Sequence, residues 1–349
     1  MMSTLQVVVG AQFGSEAKGH VVQRLAERAL LLGGGVQVIR VAGPNAGHTG
    51  YDAHGNPWAL RQVPVAAVVD GPITLGIAAG SEIDPPVLID ELDRLQKAGL
   101  LENKVVWIHE EATIIEPQHA EEESAGSMSK KIGSTGKGIG AARAHRIWRN
   151  AMRLKDNTDL IDELATKYNV IIGKVISPRF MAVHTIIEGT QGYGLGLHAG
   201  FYPQCTSSDC RAVDFMAMAG VHAWEFETVE VWAVARIFPI RVAGNSGPLK
   251  DETTWQELGL PEERTTVTKK VRRVGGEDWD LVRDAVIANG GSPTVRLAVT
   301  MLDQIMPSMR DRLVAADDQE VMDYISLIEA KTDAKVSLVT TGPNTATFI

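Results

Sequence analysis

The sequence predicts an α/β protein with a mainly parallel central sheet and flanking helices. An apolar, β-branched run at residues 5–9 ends in Gly10, and a glycine-bearing loop follows it. A helical pattern then leads to a second apolar strand at residues 36–41. Strand, glycine loop, helix and strand in this order are typical of the start of a parallel sheet. With no repeat or Pro/Ser-rich linker along the chain, residues 1–349 are interpreted as one domain.

The rest of the chain continues the same alternation. The first helix carries Val21, Leu25 and Ala29 at three-to-four spacing. Apolar runs predict further strands at residues 73–78, 104–108, 184–187, 230–237, 294–299 and 336–339. Periodic segments predict further helices at residues 85–97, 141–150, 160–168, 279–288 and 319–331. Function is expected in the loops at the carboxyl ends of the strands.

Composition excludes several classes of protein. Hydrophobic residues make up 44% of the chain and charged residues 22%, which is ordinary for a globular protein. The longest uncharged stretch, residues 189–208, is broken by glycines and Pro203, so no membrane-spanning helix is expected. The amino-terminal segment lacks a secretory signal pattern, which predicts a cytoplasmic location. Cys205 and Cys210 are too few for a disulfide framework or a four-ligand zinc site.

Charge is distributed unevenly along the chain. The formal net charge of −9 disfavours nucleic-acid binding through a basic surface. Two segments, residues 124–155 and 264–273, are nevertheless rich in Lys and Arg and contain no Asp or Glu. They indicate binding of phosphates or carboxylates, or else two solvated loops.

The first glycine-rich block spans residues 10–20, directly after the first strand. Gly14 and Gly19 let backbone N–H groups face inward, and the following helix adds its positive amino-terminal end. With the charge of Lys18, this arrangement suits a triphosphate, although the spacing does not match G-x-x-x-x-G-K-[ST]. The alternative is a tight strand-to-helix turn with a surface lysine.

The second block, residues 43–49, follows the second strand. Small residues flank Asn45, His48 and Thr49, so these side chains emerge from a flexible loop beside the first block. A lone histidine is more often structural, but beside a phosphate loop His48 is interpreted as a donor to a phosphate or a departing oxygen.

Three further blocks each allow a functional and a structural interpretation. Residues 130–149 alternate four glycines with hydroxyls and cations, which predicts a second phosphate cradle or a flexible basic loop. Residues 188–209 offer Gln191, whose amide suits a purine edge, or form a structural loop. Residues 265–273 pair hydroxyls with Lys and Arg, which suits a small dicarboxylate or an exposed basic hairpin.

In this order, the blocks resemble the adenylosuccinate synthetase family over essentially the whole chain. The matching segments are GSEAKG, GPNAGHT, IGSTGKGIG, EGTQG, CTSSD, TTVTKKVRR, TMLD and TTGPN. The resemblance implies a synthetase-like, P-loop-related fold and a C–N ligase that joins the amine of L-aspartate to C6 of a 6-oxopurine nucleotide. It also implies Mg²⁺ and a nucleoside triphosphate that phosphorylates the 6-oxygen before the amine displaces phosphate.

The resemblance also assigns a role to each block by position. Triphosphate contacts are expected from Gly14, Glu16, Ala17, Lys18, Gly19, Gly47, His48, Thr49, Asp303, Gly342 and Pro343. Purine monophosphate contacts are expected from Ser15, Asn45, Ser134, Thr135, Arg149, Gln191 and Thr206. Aspartate contacts are expected from Thr268, Lys270 and Arg272, with Lys270 replacing a family arginine.

Catalytic roles are expected at three of these positions. His48 is the implied general acid at the 6-oxygen, Gln191 polarises that oxygen, and Ser15 occupies the position of the catalytic base. Ser15 and the Gly47 carbonyl are the implied metal ligands. Arg149 matches an arginine that the family lends across a dimer interface, which implies a homodimer.

Ser15 is the main departure from the family pattern. There the first loop reads G-D-E-G-K-G, and its aspartate is the base that removes the purine N1 proton and a Mg²⁺ ligand. A hydroxyl is not a base at neutral pH. A serine does leave room for an exocyclic 2-amino group, so the chain resembles the phage branch of the family that acts on dGMP, which would operate in host cytoplasm. The alternatives are an ordinary adenylosuccinate synthetase acting on IMP and a non-catalytic nucleotide-binding protein.

TMLD is the second departure. The family has T-K-L-D there to recognise the guanine of GTP, whereas this chain has Met301. Asp303 remains to accept hydrogen bonds from guanine. The sequence therefore leaves ATP, dATP and GTP open as phosphate donors.

Overall fold

A computed structural model describes residues 3–168, 170–174, 183–265 and 269–349. The strands of this part of the chain are β1 (Thr4–Gly10), β2 (Val36–Arg40), β3 (His48–Tyr51), β4 (Pro57–Leu60), β5 (Ile73–Ile77), β6 (Glu82–Ile83), β7 (Lys104–His109), β8 (Thr113–Ile114), β9 (Ile171–Gly173), β10 (His184–Glu188), β11 (Thr228–Arg236), β12 (Ile240–Arg241), β13 (Arg273–Val274), β14 (Val295–Thr300), β15 (Lys335–Gly342) and β16 (Thr345–Phe348). Its α-helices are α1 (Lys18–Leu32), α2 (Pro85–Lys97), α3 (Pro117–Ala125), α4 (Met128–Ile132), α5 (Ile139–Trp148), α6 (Thr158–Tyr168), α7 (Ala212–Ala219), α8 (Trp279–Ala288) and α9 (Gln319–Thr332).

A ten-stranded sheet forms the centre, in the order β16-β15-β14-β11-β1-β10-β2-β5-β7-β9. Its pairs are parallel except for β15 with β16. Because neighbouring parallel strands end at the same edge, Arg40 lies opposite Glu188, and Arg236 opposite Thr300. The predicted α/β class with a mainly parallel sheet is confirmed.

Two hydrophobic layers cover the sheet. Val8 of β1 belongs to one layer, whereas Val7 and Val9 belong to the other. The first layer includes apolar side chains of α1, α2 and α6, and the second includes those of α7, α8 and α9. Side chains on both faces of the central strands are therefore buried, which explains the nearly continuous apolar runs in their sequence.

The strands and helices predicted from the sequence are all present, with ends that differ by a few residues. The prediction missed the antiparallel hairpin of β3 and β4, the edge strands β9 and β16, the short strands β6, β8, β12 and β13, and the helices α3, α4 and α7. The missed strands are two to four residues long, too few for a period-two pattern to be distinguished. In the part of the chain that is described, no helix is long and apolar enough to cross a membrane, and both cysteines are free.

Candidate active site

The first glycine block forms the turn between β1 and α1. Gly14 and Ala17 both have left-handed backbone angles, with φ of 93° and 63°. Glu16 Oε1 accepts a hydrogen bond from the Gly14 N–H at 2.6 Å. Lys18 Nζ donates to Glu16 Oε2 at 2.8 Å and to the Gly14 carbonyl at 2.9 Å. Lys18 is buried and paired within the loop, so it stabilises the turn and is not a free surface cation.

The fourth block packs directly on the first. A Cβ atom at Gly10 would lie 2.5 Å from the Gln191 carbonyl oxygen, and one at Gly14 would lie 3.0 Å from Gln191 Cα. Side chains at these glycines are therefore excluded by backbone contact. Gln191 itself has a φ of 60°. The close approach brings Gln191 against Gly14, the residue before Ser15.

The second block presents His48 against the start of α1. A Cβ atom at Gly19 would lie 2.8 Å from His48 Cβ and 3.0 Å from the Thr49 carbonyl oxygen. Gly19 therefore allows the strand that carries His48 to contact the first helix. The neighbouring Gly47 and Thr49 are exposed, and Asn45 is half-buried.

A buried carboxylate orients the His48 imidazole. Glu188, at the end of β10, accepts a hydrogen bond from His48 Nδ1 at 2.6 Å and forms an ion pair with Arg40. Its other oxygen accepts from the Val65 N–H at 2.9 Å. Arg40 also donates to the Ala46 carbonyl at 2.7 Å, which ties the pair to the second block. With Nδ1–H donated to Glu188, Nε2 is the ring atom left to meet a ligand.

Burial and charge determine the protonation of this pair. Burial, followed by the charge of Arg40, lowers the pKa of His48 from 6.5 to about 4. Burial opposes ionisation of Glu188, but Arg40 and His48 together hold the pKa of this carboxyl below its usual value. His48 is therefore a neutral imidazole beside an ionised glutamate at neutral pH.

Ser15 meets the block that is predicted to bind aspartate. Arg272 Nη1 donates to Ser15 Oγ at 3.1 Å, and Arg236 Nη1 donates to the Ser15 carbonyl at 3.3 Å. Arg236 is buried and pairs with Glu263 at 2.5 Å. Lys270 is exposed. The structure thus brings Ser15 and Arg272 together, whereas Thr268 lies outside the described residues.

The third block is organised by Glu123, a buried carboxylate of α3. Glu123 accepts hydrogen bonds from Ser134 Oγ at 3.3 Å and from the Gly140 N–H at 2.8 Å. Thr135 is exposed. Arg149 follows α5, is exposed, and has a φ of 65°. Ser134 is therefore held inside the block, while Thr135 and Arg149 face outward.

The last two blocks adjoin the first. Thr300 Oγ1 donates to the Glu16 carbonyl at 3.0 Å. Burial raises the pKa of Asp303, in the turn that follows β14. The turn at residues 342–344, which contains Gly342 and Pro343, is held to α1 by two hydrogen bonds from Arg24 to Asn344, at 2.7 and 2.6 Å. Asp303 and this turn therefore approach the same end of the sheet as the first block.

The donor atoms present fit a magnesium ion held mainly by phosphate oxygens. Among the described residues, no group of three or more His, Cys, Asp or Glu could hold a metal ion. The Ser15 hydroxyl faces the Arg272 guanidinium, which leaves the exposed Gly47 carbonyl as the more accessible of the two expected ligands. Mg²⁺ commonly relies on few protein ligands when substrate phosphates are bound.

Sequence reasoning missed five charged residues that build the site: Arg40, Glu123, Glu188, Glu263 and Arg236, which ends β11. Arg40 and Glu188 each end an apolar strand, VQVIR and HTIIE. A charge at the carboxyl end of a strand that is otherwise buried is a signal that could have identified both. Glu123 and Glu263 carry no comparable signal.

Comparisons with known proteins give matches along most of the chain. The family model for adenylosuccinate synthetase matches residues 7–176 and 172–310. The adenylosuccinate synthetase of Pyrococcus sp. (strain ST700) is 35% identical over 349 residues, covering 97% of this chain and 95% of that protein. That of Methanococcus vannielii is 33% identical over 351 residues, covering 97% and 96%.

Two solved structures share the fold. The cyanophage S-2L succinoaminodeoxyadenylate synthetase (PurZ), bound to dGMP and to dATP as an energy donor, superposes with a TM-score of 0.78 and 26% identity, covering 98% of this chain and 94% of that one. The fully ligated adenylosuccinate synthetase of Plasmodium falciparum gives 0.77 with 21% identity and 97% coverage of both chains, a likeness of fold alone. On the family match and the relatives together, this chain belongs to the adenylosuccinate synthetase family and is a C–N ligase that condenses aspartate with a nucleotide.

Proposed function

We propose that this ligase condenses L-aspartate with dGMP at purine C6, driven by cleavage of a nucleoside triphosphate, to give 2-amino-2'-deoxy-N6-succinoadenylate. The observation that carries the proposal is Ser15, a small neutral residue where the family has an aspartate. The likeness to PurZ, which was solved with dGMP, supports the same substrate. The relatives named as ordinary adenylosuccinate synthetases support IMP as the second candidate.

Ser15 has the hydrogen-bonding capacity for a guanine edge. Its hydroxyl oxygen has two lone pairs, and one accepts from Arg272 at 3.1 Å. The second can accept from the 2-amino group of guanine, which hypoxanthine lacks. A serine cannot take the N1 proton at neutral pH, so that proton leaves to the substrate phosphates or to water.

The reaction proceeds in two displacements. The purine 6-oxygen attacks the γ-phosphorus, so that the new O–P bond forms as the bond to the β-phosphate oxygen breaks. The aspartate amine then attacks C6, the C6–O bond breaks to release phosphate, and the proton lost by the amine nitrogen goes to the departing phosphate. Bound Mg²⁺ would supply charge neutralisation at the phosphoryl oxygens. Backbone N–H groups at Gly14 to Gly19 and the amino-terminal end of α1 are proposed to hold the triphosphate.

His48 is proposed as the general acid at the 6-oxygen, with Gln191 polarising that oxygen. The low pKa of His48 means that the free protein carries no proton at Nε2 at neutral pH. An anionic phosphoryl group beside Nε2 favours the charged imidazolium, and Glu188 stabilises the same charge from Nδ1. Binding of the triphosphate would therefore raise the pKa of His48, so that it carries the proton that a general acid donates.

The remaining substrate contacts are assigned according to the block in which each residue lies. We assign the nucleotide monophosphate to Asn45, Ser134, Thr135 and Thr206, and the aspartate carboxylates to Thr268, Lys270 and Arg272. We also propose a homodimer in which each chain lends Arg149 to its partner. Support for the dimer comes from the exposure of Arg149 and of the adjacent Trp148, whose side chain is 71% exposed.

Phosphate release distinguishes these functions. Purified protein with Mg²⁺ would be assayed with dGMP or IMP, with and without L-aspartate, and with ATP, dATP or GTP in parallel. We expect release that requires dGMP and aspartate together. Faster turnover of IMP than of dGMP would contradict the assignment of Ser15, and triphosphate cleavage independent of both substrates would contradict the ligase reaction. The donor series determines whether Asp303 still selects GTP.

A further inference from the structure

A buried ion pair outside the residues assigned above joins β6 to α5. Arg143 Nε donates to Glu82 Oε1 at 2.7 Å, and Arg143 Nη2 donates to Glu82 Oε2 at 3.1 Å. The side chains are 17% and 5% exposed. A two-bonded fork of this kind fixes both the distance and the orientation of its partners.

The carboxylate of this pair contacts the second block. The Glu82 N–H donates to the Ala42 carbonyl at 3.2 Å, immediately before Gly43. A Cβ atom at Gly43 would lie 3.0 Å from Glu82 Oε2, 2.9 Å from Ile139 Cδ1 and 3.1 Å from Asn45 Oδ1. The turn that carries Asn45 therefore packs against Glu82 and against Ile139, the first residue of α5.

The guanidinium contacts the fourth block. Arg143 Nη1 donates to Ser207 Oγ at 3.3 Å, one residue beyond Thr206. Arg143 itself lies on α5, which forms the later part of the third block and ends beside Arg149. One ion pair thus lies on the third block and contacts the second and fourth, and each of these blocks carries residues that we assign to the nucleotide monophosphate.

We propose that Arg143, held by Glu82, is a positioning residue for the purine monophosphate subsite. It fixes the distances between Asn45, Thr206 and the start of α5 before the ligand binds. The ligand therefore does not lose binding free energy in ordering these groups. Because its contacts lie with groups that we assign to the monophosphate, its loss should weaken monophosphate binding and affect triphosphate binding far less. The inference rests on the proposed function only in taking a purine monophosphate as the ligand.

Calorimetric titration with dGMP and with IMP, in separate experiments, tests the role directly. We expect Arg143→Met to raise the dissociation constant of the bound monophosphate by about ten-fold or more. The KM for the triphosphate should change by less than about two-fold, because the first block does not touch the pair. Arg143→Lys keeps the charge without the fork and should restore binding only in part.

Two controls separate positioning from general damage. The double variant Glu82→Met with Arg143→Met leaves no buried unpaired charge, so it should fold and still show the loss of monophosphate affinity. Arg153→Met removes a similar fork, to Asp156 at 2.7 and 2.9 Å, from a residue outside the five blocks and should bind the monophosphate normally.

Either of two results would overturn the role of Arg143. One is unchanged monophosphate affinity in both Arg143→Met and the double variant, and the other is an equal loss of triphosphate affinity. A wild-type protein that bound IMP and not dGMP would instead contradict the proposed substrate. The ratio of variant to wild-type affinity for IMP would then still test Arg143.

Discussion

Replacing Ser15 by aspartate tests the substrate assignment most directly. Arg272 Nη1 lies 3.1 Å from Ser15 Oγ, so a carboxylate here converts a hydrogen bond with one charged partner into an ion pair. The gain is about 1 kcal/mol, which holds Arg272 away from the substrate and raises the KM for L-aspartate roughly five-fold. Crowding of the guanine 2-amino group costs about 1–3 kcal/mol, so kcat/KM for dGMP should fall by about 5- to 150-fold.

The assay is steady-state phosphate release with dGMP or IMP at varied aspartate concentration. IMP has no 2-amino group, so Ser15→Asp should shift the ratio of kcat/KM values towards IMP. Ser15→Ala is the matched control, because it removes the hydrogen bond to Arg272 without adding bulk. By the same reasoning, Ser15→Ala should leave Arg272 free to meet aspartate, so the KM for L-aspartate should not rise, and it should retain room for the 2-amino group. Unchanged dGMP kinetics in Ser15→Asp, or equal losses with dGMP and IMP, would refute the steric reasoning.

Three further predictions concern the buried pair and the dimer. Because burial and Arg40 lower the pKa of His48 from 6.5 to about 4, the unfolded chain takes up a proton between these values that the folded chain excludes. The free energy of unfolding should therefore fall by on the order of 3 kcal/mol as the pH drops through this window, and urea titrations should show a shallower dependence in His48→Gln. Glu188→Gln leaves the Arg40 charge buried without its counter-ion and should cost about 3–5 kcal/mol of stability by the same measurement; a variant as stable as the parent would contradict a buried charge pair. Mixing the inactive Arg149→Ala and His48→Gln proteins should recover activity, because a mixed dimer retains one site with both residues intact. No recovery of activity after subunit exchange would argue against an arginine shared between subunits.

The sequence predicted the blocks well and the carboxylates poorly. Gly10 and Gly14 could be identified from the sequence because a glycine-rich turn after a strand is a local pattern. The structure shows why glycine is needed there: a side chain at either position would meet the backbone of Gln191. Glu188 is different, since its partner His48 is 140 residues away and the pair forms only when β10 lies beside β2. A single glutamate at a strand end has no local pattern that indicates its burial.

Lys18 is a second residue whose ion-pair partner the sequence did not predict. Its sequence context indicates a cation for phosphate, and the resemblance implies that role. In the folded chain its ammonium group is buried and bonded to Glu16 and to the Gly14 carbonyl. The local sequence singled out Lys18 but did not predict that Glu16 neutralises its charge in the free protein.

Sequence alone determined the α/β class, the order of the strands along the chain and the identity of the glycine blocks, because hydrophobic period and glycine placement are local properties. Tertiary structure decided which blocks meet: Ser15 with Arg272, His48 with Glu188, and Glu82 with Arg143. These contacts join residues far apart in the chain, so their geometry and protonation depend on strand order and burial, which exist only once the sheet has formed.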